Sequence, residues 1–270
     1  MPLSELDRRS FLGMSVALPF LPSELREGPS PEPVGPISQY AYILERFEIE
    51  SILPIIVEAC REQQSVFPLE PEVEVALLRQ ESLFNPDAIS LAGAAGIAQF
   101  IPETAENDFG MKVHVTDDYT EGVRLRQLFL AENRKVSAAL RENDFKAVEK
   151  HKLKTDELGK ETETRFVRYR IDLESQIQGA TRAERISLDQ RLDPDLAIRN
   201  GVRYLAKVCR TCSERFGGPP QHNVLRGLAA YNAGLDQVFK FDGLPFLFQT
   251  VDYVRKIMVM YDQLMSDRKG

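Results

Sequence analysis

The chain reads as an all-α protein: a helical domain into which a long, charged helical hairpin is inserted. Three observations lead there. Apolar residues recur at three- and four-residue steps through most of the 270 residues. Helix-start signals, above all prolines suited to first helical positions, precede those runs. The early chain, with only a short connection at Phe67-Pro68-Leu69 between its runs, looks like successive packed helices.

Taken in order, residues 1–21 hold Asp7-Arg8-Arg9-Ser10-Phe11-Leu12-Gly13 ahead of an apolar run to Leu21, the pattern of a twin-arginine export signal. Residues 22–37 carry prolines at 22, 29, 31, 33 and 36 and read as an extended spacer, which leaves 38–270 as the folded domain. From Gln39 to about Gln64, Tyr40, Ile43, Leu44, Phe47, Ile52, Ile55, Ile56 and Ala59 keep helical spacing. Pro54 is expected to start, kink or divide that helix. The next helix opens at Pro71, carries Val75, Leu77 and Leu78, and is stopped by Asn85-Pro86, which puts Glu81 in its last turn. There the negative end of the helix macrodipole disfavours the ionised carboxylate and favours the acid. A glutamate at a helix end is more often simply solvated. The small-residue stretch beyond it is less ordinary: Ala92-Gly93-Ala94-Ala95-Gly96 lets backbone or a bulky ligand approach closely, and Pro102 restarts a helix.

Residues 113–190 are rich in Lys, Arg, Glu and Gln and poor in proline. Leu125, Leu128, Val136 and Leu140 form one broken apolar stripe, and Phe166, Tyr169, Leu173 and Ile177 form another. Two long helices burying those stripes against each other, with chain ends meeting near Val113 and Asp189, account for the pattern. Such a hairpin is a solvated excursion, or a lid, an extra substrate contact or a docking arm for a protein partner. Asp193-Pro194 then caps and starts a scaffold helix through Ile198, Val202, Leu205 and Val208, ending before Gly217. Another helix presents Tyr231 and Asn232 just before Gly234, a glycine able to take the left-handed cap conformation.

The net charge of −7 and pI near 5.2 exclude a nucleic-acid binder that relies on overall attraction to phosphates. No run of about 18 apolar residues suggests a membrane span. With no Trp, sugar stacking would fall to Tyr or Phe. Cys60, Cys209 and Cys212 are one thiol short of a four-cysteine zinc site, so no metal or cofactor is expected. They read as buried thiols, with a bridge from Cys60 to Cys209 or Cys212 as the alternative.

Three stretches together resemble the motifs of the soluble-type lytic transglycosylases, relatives of the goose-type lysozymes. They are Glu81-Ser82 through Gln99 with Pro102-Glu103-Thr104-Ala105 behind it, Ala230-Tyr231-Asn232-Ala233-Gly234, and Pro245-Phe246 through Tyr253-Val254. The resemblance covers about 51–107 and 192–261, and its shorter family connection marks 113–190 as an insertion. Ala98 stands where the family usually has Met, and Gln249 where it usually has Glu. The resemblance implies a lysozyme-like helical catalytic domain that cleaves the β-1,4 MurNAc–GlcNAc bond of peptidoglycan strands without water, in the periplasm. Glu81 would act first as acid and then as base, while Ser90, Gln99, Tyr231 and Asn232 would hold the N-acetyl group and position Glu81. A hydrolytic muramidase is the alternative and would need a second carboxylate, for which Asp87 and Glu103 are near in sequence. A catalytically silent wall-binding protein is a third reading, against which the intact Glu81 weighs.

Overall fold

Prolines in the first turn open five of the helices, because a residue without an N–H loses nothing where the helix leaves N–H groups unpaired anyway. The computed structural model describes residues 34–269, so the stretch 1–21, expected to be an export signal, and most of 22–37, expected to be a spacer, lie outside the described residues. In chain order the helices are α1 (Ala41–Arg46), α2 (Leu53–Gln63), α3 (Pro71–Ser82), α4 (Pro102–Phe109), α5 (Asp117–Arg141), α6 (Phe145–Ile177), α7 (Arg182–Leu188), α8 (Pro194–Phe216), α9 (Pro220–Ala233), α10 (Leu235–Lys240) and α11 (Phe248–Asp267). Among the described residues there are no strands beyond two isolated bridges, Ile89 to Ala95 and Ala95 to Phe100. The expected all-α class is what the protein has. Pro54 divides the first helical run: α1 stops where Phe47 turns extended, and α2 restarts with Pro54 in its first turn.

The chain forms two compact units. One comprises Asp87–Ala95 and Gln99–Leu192; the other comprises the described residues up to Pro86, Gly96–Ala98, and those from Asp193 onward.

In the first unit α5 and α6 pack as a hairpin. Its α6 face is the one anticipated, with Phe166, Tyr169, Leu173 and Ile177 all buried. The α5 face is not. Leu128 and Leu140 are exposed, and the buried residues are Tyr119, Gly122, Leu125, Glu132 and Ala139. The rotation is set at the hairpin's base, where Tyr119 lies 5.7 Å from the Phe166 ring and 4.8 Å from that of Tyr169. Gly122 leaves room for this, since a Cβ there would sit 3.1 Å from Phe166. Farther out, Glu132 takes a hydrogen bond from Lys135 at 3.0 Å and lies 2.5 Å from His151 Nδ1, a polar pairing where a stripe reading expects apolar contact.

The two ends of this excursion meet. Gln190 N donates to the Lys112 carbonyl at 2.8 Å, and Lys112 N returns a bond to Gln190 Oε1 at 2.6 Å. Beside them Arg191 is fully buried against the equally buried Asp189, with Nη2 to Oδ2 at 2.6 Å. Its remaining donors reach Gly93 O at 2.7 Å, Phe100 O at 3.0 Å and the Tyr169 hydroxyl at 2.8 Å. One guanidinium thus ties the hairpin's base to the small-residue loop. Gly93 itself has φ +80, and a Cβ would lie 2.8 Å from both the Tyr119 and Tyr169 rings, so only glycine fits.

In the second unit α8 is the scaffold expected. Ile198, Val202, Leu205, Val208, Cys209 and Cys212 are buried, and α2 and α9 pack on the helix. The thiols of Cys60, Cys209 and Cys212 are free and buried, so neither disulfide considered from sequence is formed. Burial pushes the Cys60 and Cys209 thiols far up, which leaves them neutral and inert. Helix α11 packs against α3 and α9, and this brings the last stretch of chain to Glu81.

Candidate functional site

Glu81 lies in the last turn of α3, but that helix ends sooner than Asn85-Pro86 would require. Leu83 takes a left-handed conformation, φ 55, and its N–H caps the Arg79 carbonyl at 3.0 Å. Phe84 comes next at φ 65. Two successive non-glycine residues in this region store strain of about 1 kcal/mol or more each, and such strain concentrates at functional sites. Packing holds them: the Phe84 ring lies 5.4 Å from Phe47, and Ser82 Oγ donates to the Ile97 carbonyl at 2.9 Å.

The half-buried Glu81 carboxyl accepts a 2.5 Å hydrogen bond from the hydroxyl of Tyr253 on α11. Tyr253 is buried, so this bond fixes the carboxyl's orientation instead of leaving it to solvent. One helical turn earlier, Thr250 donates through Oγ1 to Asn232 Oδ1 at 3.1 Å. Tyr231 is also buried. Its hydroxyl donates to the Ala98 carbonyl at 2.9 Å, and its ring meets Tyr204 edge-on at 5.4 Å. Gly234 has a positive φ, but with ψ 150 it lies outside the left-handed helical cap geometry expected of it.

A second carboxylate stands on the same helix, two turns before Glu81. Glu74 is fully buried, and neither of its oxygens has a hydrogen-bond partner. Its carboxyl occupies space that Gly201 leaves open on α8. A Cβ at Gly201 would meet Glu74 Oε1 at 3.2 Å, Ala98 Cβ at 3.6 Å and the Tyr231 hydroxyl at 3.7 Å. Burial, and after it the charge of Glu81, raise the Glu74 pKa from 4.5 to about 8. The folded value exceeds the unfolded one, so folding takes up a proton across that window. Glu74's contribution to folded-state stability is therefore full below about pH 4.5 and is lost as pH rises to about 8, by up to about 1 kcal/mol per pH unit. Glu74→Leu is accordingly expected to raise the melting temperature at pH 8 and to change it little at pH 4. A variant melting no higher than the parent at pH 8 would contradict this.

Of the residues singled out from sequence, Glu81, Tyr231 and Asn232 belong to the second unit, while Ser90 and Gln99 belong to the first. Ser90 Oγ accepts from Ala94 N at 3.0 Å, and Gln99, buried at φ 51, donates through Nε2 to Ala88 O at 3.0 Å. Both brace the small-residue loop. The two carboxylates considered for activating water are each engaged: Asp87 pairs with Arg185 Nη1 at 2.5 Å, and Glu103 accepts from Tyr119 at 2.6 Å. Glu74 and Tyr253 were not assigned site roles from sequence. Tyr253 lies within the closing motif, a usable signal; Glu74 has none, because a glutamate in an acidic first turn, two residues after Glu72, gives no hint of full burial. Among the described residues, no group of three or more His, Cys, Asp or Glu side chains is placed to hold a metal ion.

No solved structure matches the chain. The transglycosylase SLT domain matches residues 58–122 and 174–243, half of the chain. The first segment contains Glu81, Ser90 and Gln99, and the second contains Tyr231 and Asn232. The stretch passed over, 123–173, is most of the α5–α6 hairpin, and α11 with Thr250 and Tyr253 lies beyond the match. All-α architecture, the motif order and this match together make the chain a member of the transglycosylase SLT domain family, whose fold is lysozyme-like and whose substrate is peptidoglycan.

Proposed function

We propose that the protein is a peptidoglycan lytic transglycosylase that cleaves the β-1,4 bond between MurNAc and GlcNAc and leaves a 1,6-anhydromuramoyl end. The observation that carries this reading is Glu81: a half-buried carboxyl at a helix C-terminus, oriented by a buried tyrosine hydroxyl. The acid protonates the glycosidic oxygen as the bond to the anomeric carbon breaks. The resulting carboxylate then takes the proton of the muramoyl C6 hydroxyl as that oxygen closes on the anomeric carbon. Glu81 ends protonated, no water is consumed, and one carboxyl does both steps. Hydrolysis needs a base for water, and Asp87 and Glu103 are tied to Arg185 and Tyr119.

In this reading Tyr253 positions Glu81, Asn232 offers an amide to the N-acetyl group and Tyr231 supports the Ala98 backbone, while Ser90 and Gln99 brace the small-residue loop. Residues 113–190 form an inserted excursion whose distal hairpin is an arm for a partner or for the sacculus. The substrate lies outside the cytoplasm, which accords with export through the Arg8-Arg9 signal to the periplasm. The test is mass spectrometry of muropeptides released from purified sacculi. Anhydro ends, one water lighter than reducing ends, are expected; reducing ends alone would make the protein a hydrolase.

A further inference from the structure

We propose that Glu74 is a positioning residue for the reaction, a buried neutral carboxylic acid whose protonation lets Glu81 become an anion during the acid step, so that the reactive form of the protein carries both protons. The inference rests on the reading of Glu81 as the acid.

Three observations carry it. Glu74 is fully buried with both oxygens unpartnered, a state an ionised carboxylate could hold only at great cost. The space is built for it: Gly201 stands on a face of α8 otherwise lined by Ile198, Val202 and Leu205, and a Cβ there would lie 3.2 Å from the Glu74 carboxyl. A leucine would fill such a pocket with no desolvation cost, so packing alone does not account for the acid. Third, Glu74 and Glu81 share one helix, two turns apart.

The groups facing Glu74 supply no compensating cation. They are Glu72 and Glu81 on α3, the neutral thiols of Cys60 on α2 and Cys209 on α8, and the Tyr231 hydroxyl on α9. Glu72 is itself occupied by Tyr42 and by Arg268 at 3.5 Å. Burial first and the Glu81 charge second hold the Glu74 proton to about pH 8. Coupling of this kind is reciprocal: an ionised Glu74 makes Glu81 hold its proton more tightly, which opposes transfer to the glycosidic oxygen.

The experiment has two arms. In substrate-free protein, infrared difference spectra between the parent and Glu74→Gln isolate the Glu74 carboxyl. Its protonated band is expected to persist at pH 7, to vanish around pH 8, and to vanish at a lower pH in Glu81→Gln. In turnover, log kcat above pH 8 is expected to fall by about two units per pH unit in the parent and about one in Glu74→Gln, with Glu74→Leu replacing the amide variant if that fails to fold. Ordinary carboxylate titration of Glu74, no movement in Glu81→Gln, or equal slopes would each overturn the proposal. Undiminished cleavage by Glu81→Gln would instead remove the assignment of the acid and leave the infrared result standing.

Discussion

Glu81→Gln is expected to abolish bond cleavage while leaving the protein folded. The amide keeps the side chain's size and still accepts the Tyr253 hydroxyl bond, so the anchor on α11 survives. What it lacks is a proton to give and a basic oxygen to take one back. General acid–base catalysis contributes about 10²–10⁴-fold, and in the proposed mechanism one group serves both steps, so the loss in kcat belongs at or beyond the upper end of that range. KM for glycan strands should change little, because Glu81 is not the group that holds the sugar. The measurement is release of soluble muropeptides from sacculi, with circular dichroism and a thermal melt as controls on folding. Turnover within tenfold of the parent would remove Glu81 from the role of acid.

The second large effect is on stability. Asp189→Ala leaves the Arg191 guanidinium buried, charged at every accessible pH, and without its anion. Removing one partner of a buried pair costs about 3–5 kcal/mol, and for a chain of this size that lowers the melting temperature by roughly 6–20 °C. Adding Arg191→Met should not restore the parent's stability. The guanidinium also serves the carbonyls of Gly93 and Phe100 and the Tyr169 hydroxyl, and an apolar side chain would leave those groups unsatisfied. A melting point within about 2 °C of the parent for Asp189→Ala, or full recovery in the double variant, would show that the network is not what holds the hairpin's base to the loop. The same network bears on shortening the excursion. A cut inside 123–173 leaves Tyr169 only if it stops short of that residue, whereas removal of all of 113–190 also takes Asp189 and His114 from Arg191's surroundings.

Much of the architecture was legible in the chain because its signals are local. Prolines at 54, 71, 102 and 194 mark helix starts through their missing N–H, and the Asp193 side chain caps α8 by accepting from Asp195 N. The Phe166–Tyr169–Leu173–Ile177 stripe announced the buried face of α6, and the run from Pro71 announced that Glu81 lies in a last turn. Each of these depends on residues within about four positions of one another, the range over which helical periodicity acts.

Tertiary structure decided the rest. Which way α5 turns was set by Gly122 and Tyr119 meeting aromatic rings of α6, so Leu128 and Leu140 face water although their spacing suits a core. The helix carrying Glu81 stops at Ser82 because the chain beyond it packs in strained left-handed conformations that no propensity favours. Tyr253 reaches Glu81 across 172 positions of sequence, and Arg191 reaches Gly93 across 98. Glu74 became an orphaned acid only because α8 offers a glycine opposite it. Burial and hydrogen bonding depend on which distant elements come together, and a charged side chain's protonation is set by that burial instead of by its neighbours in the chain.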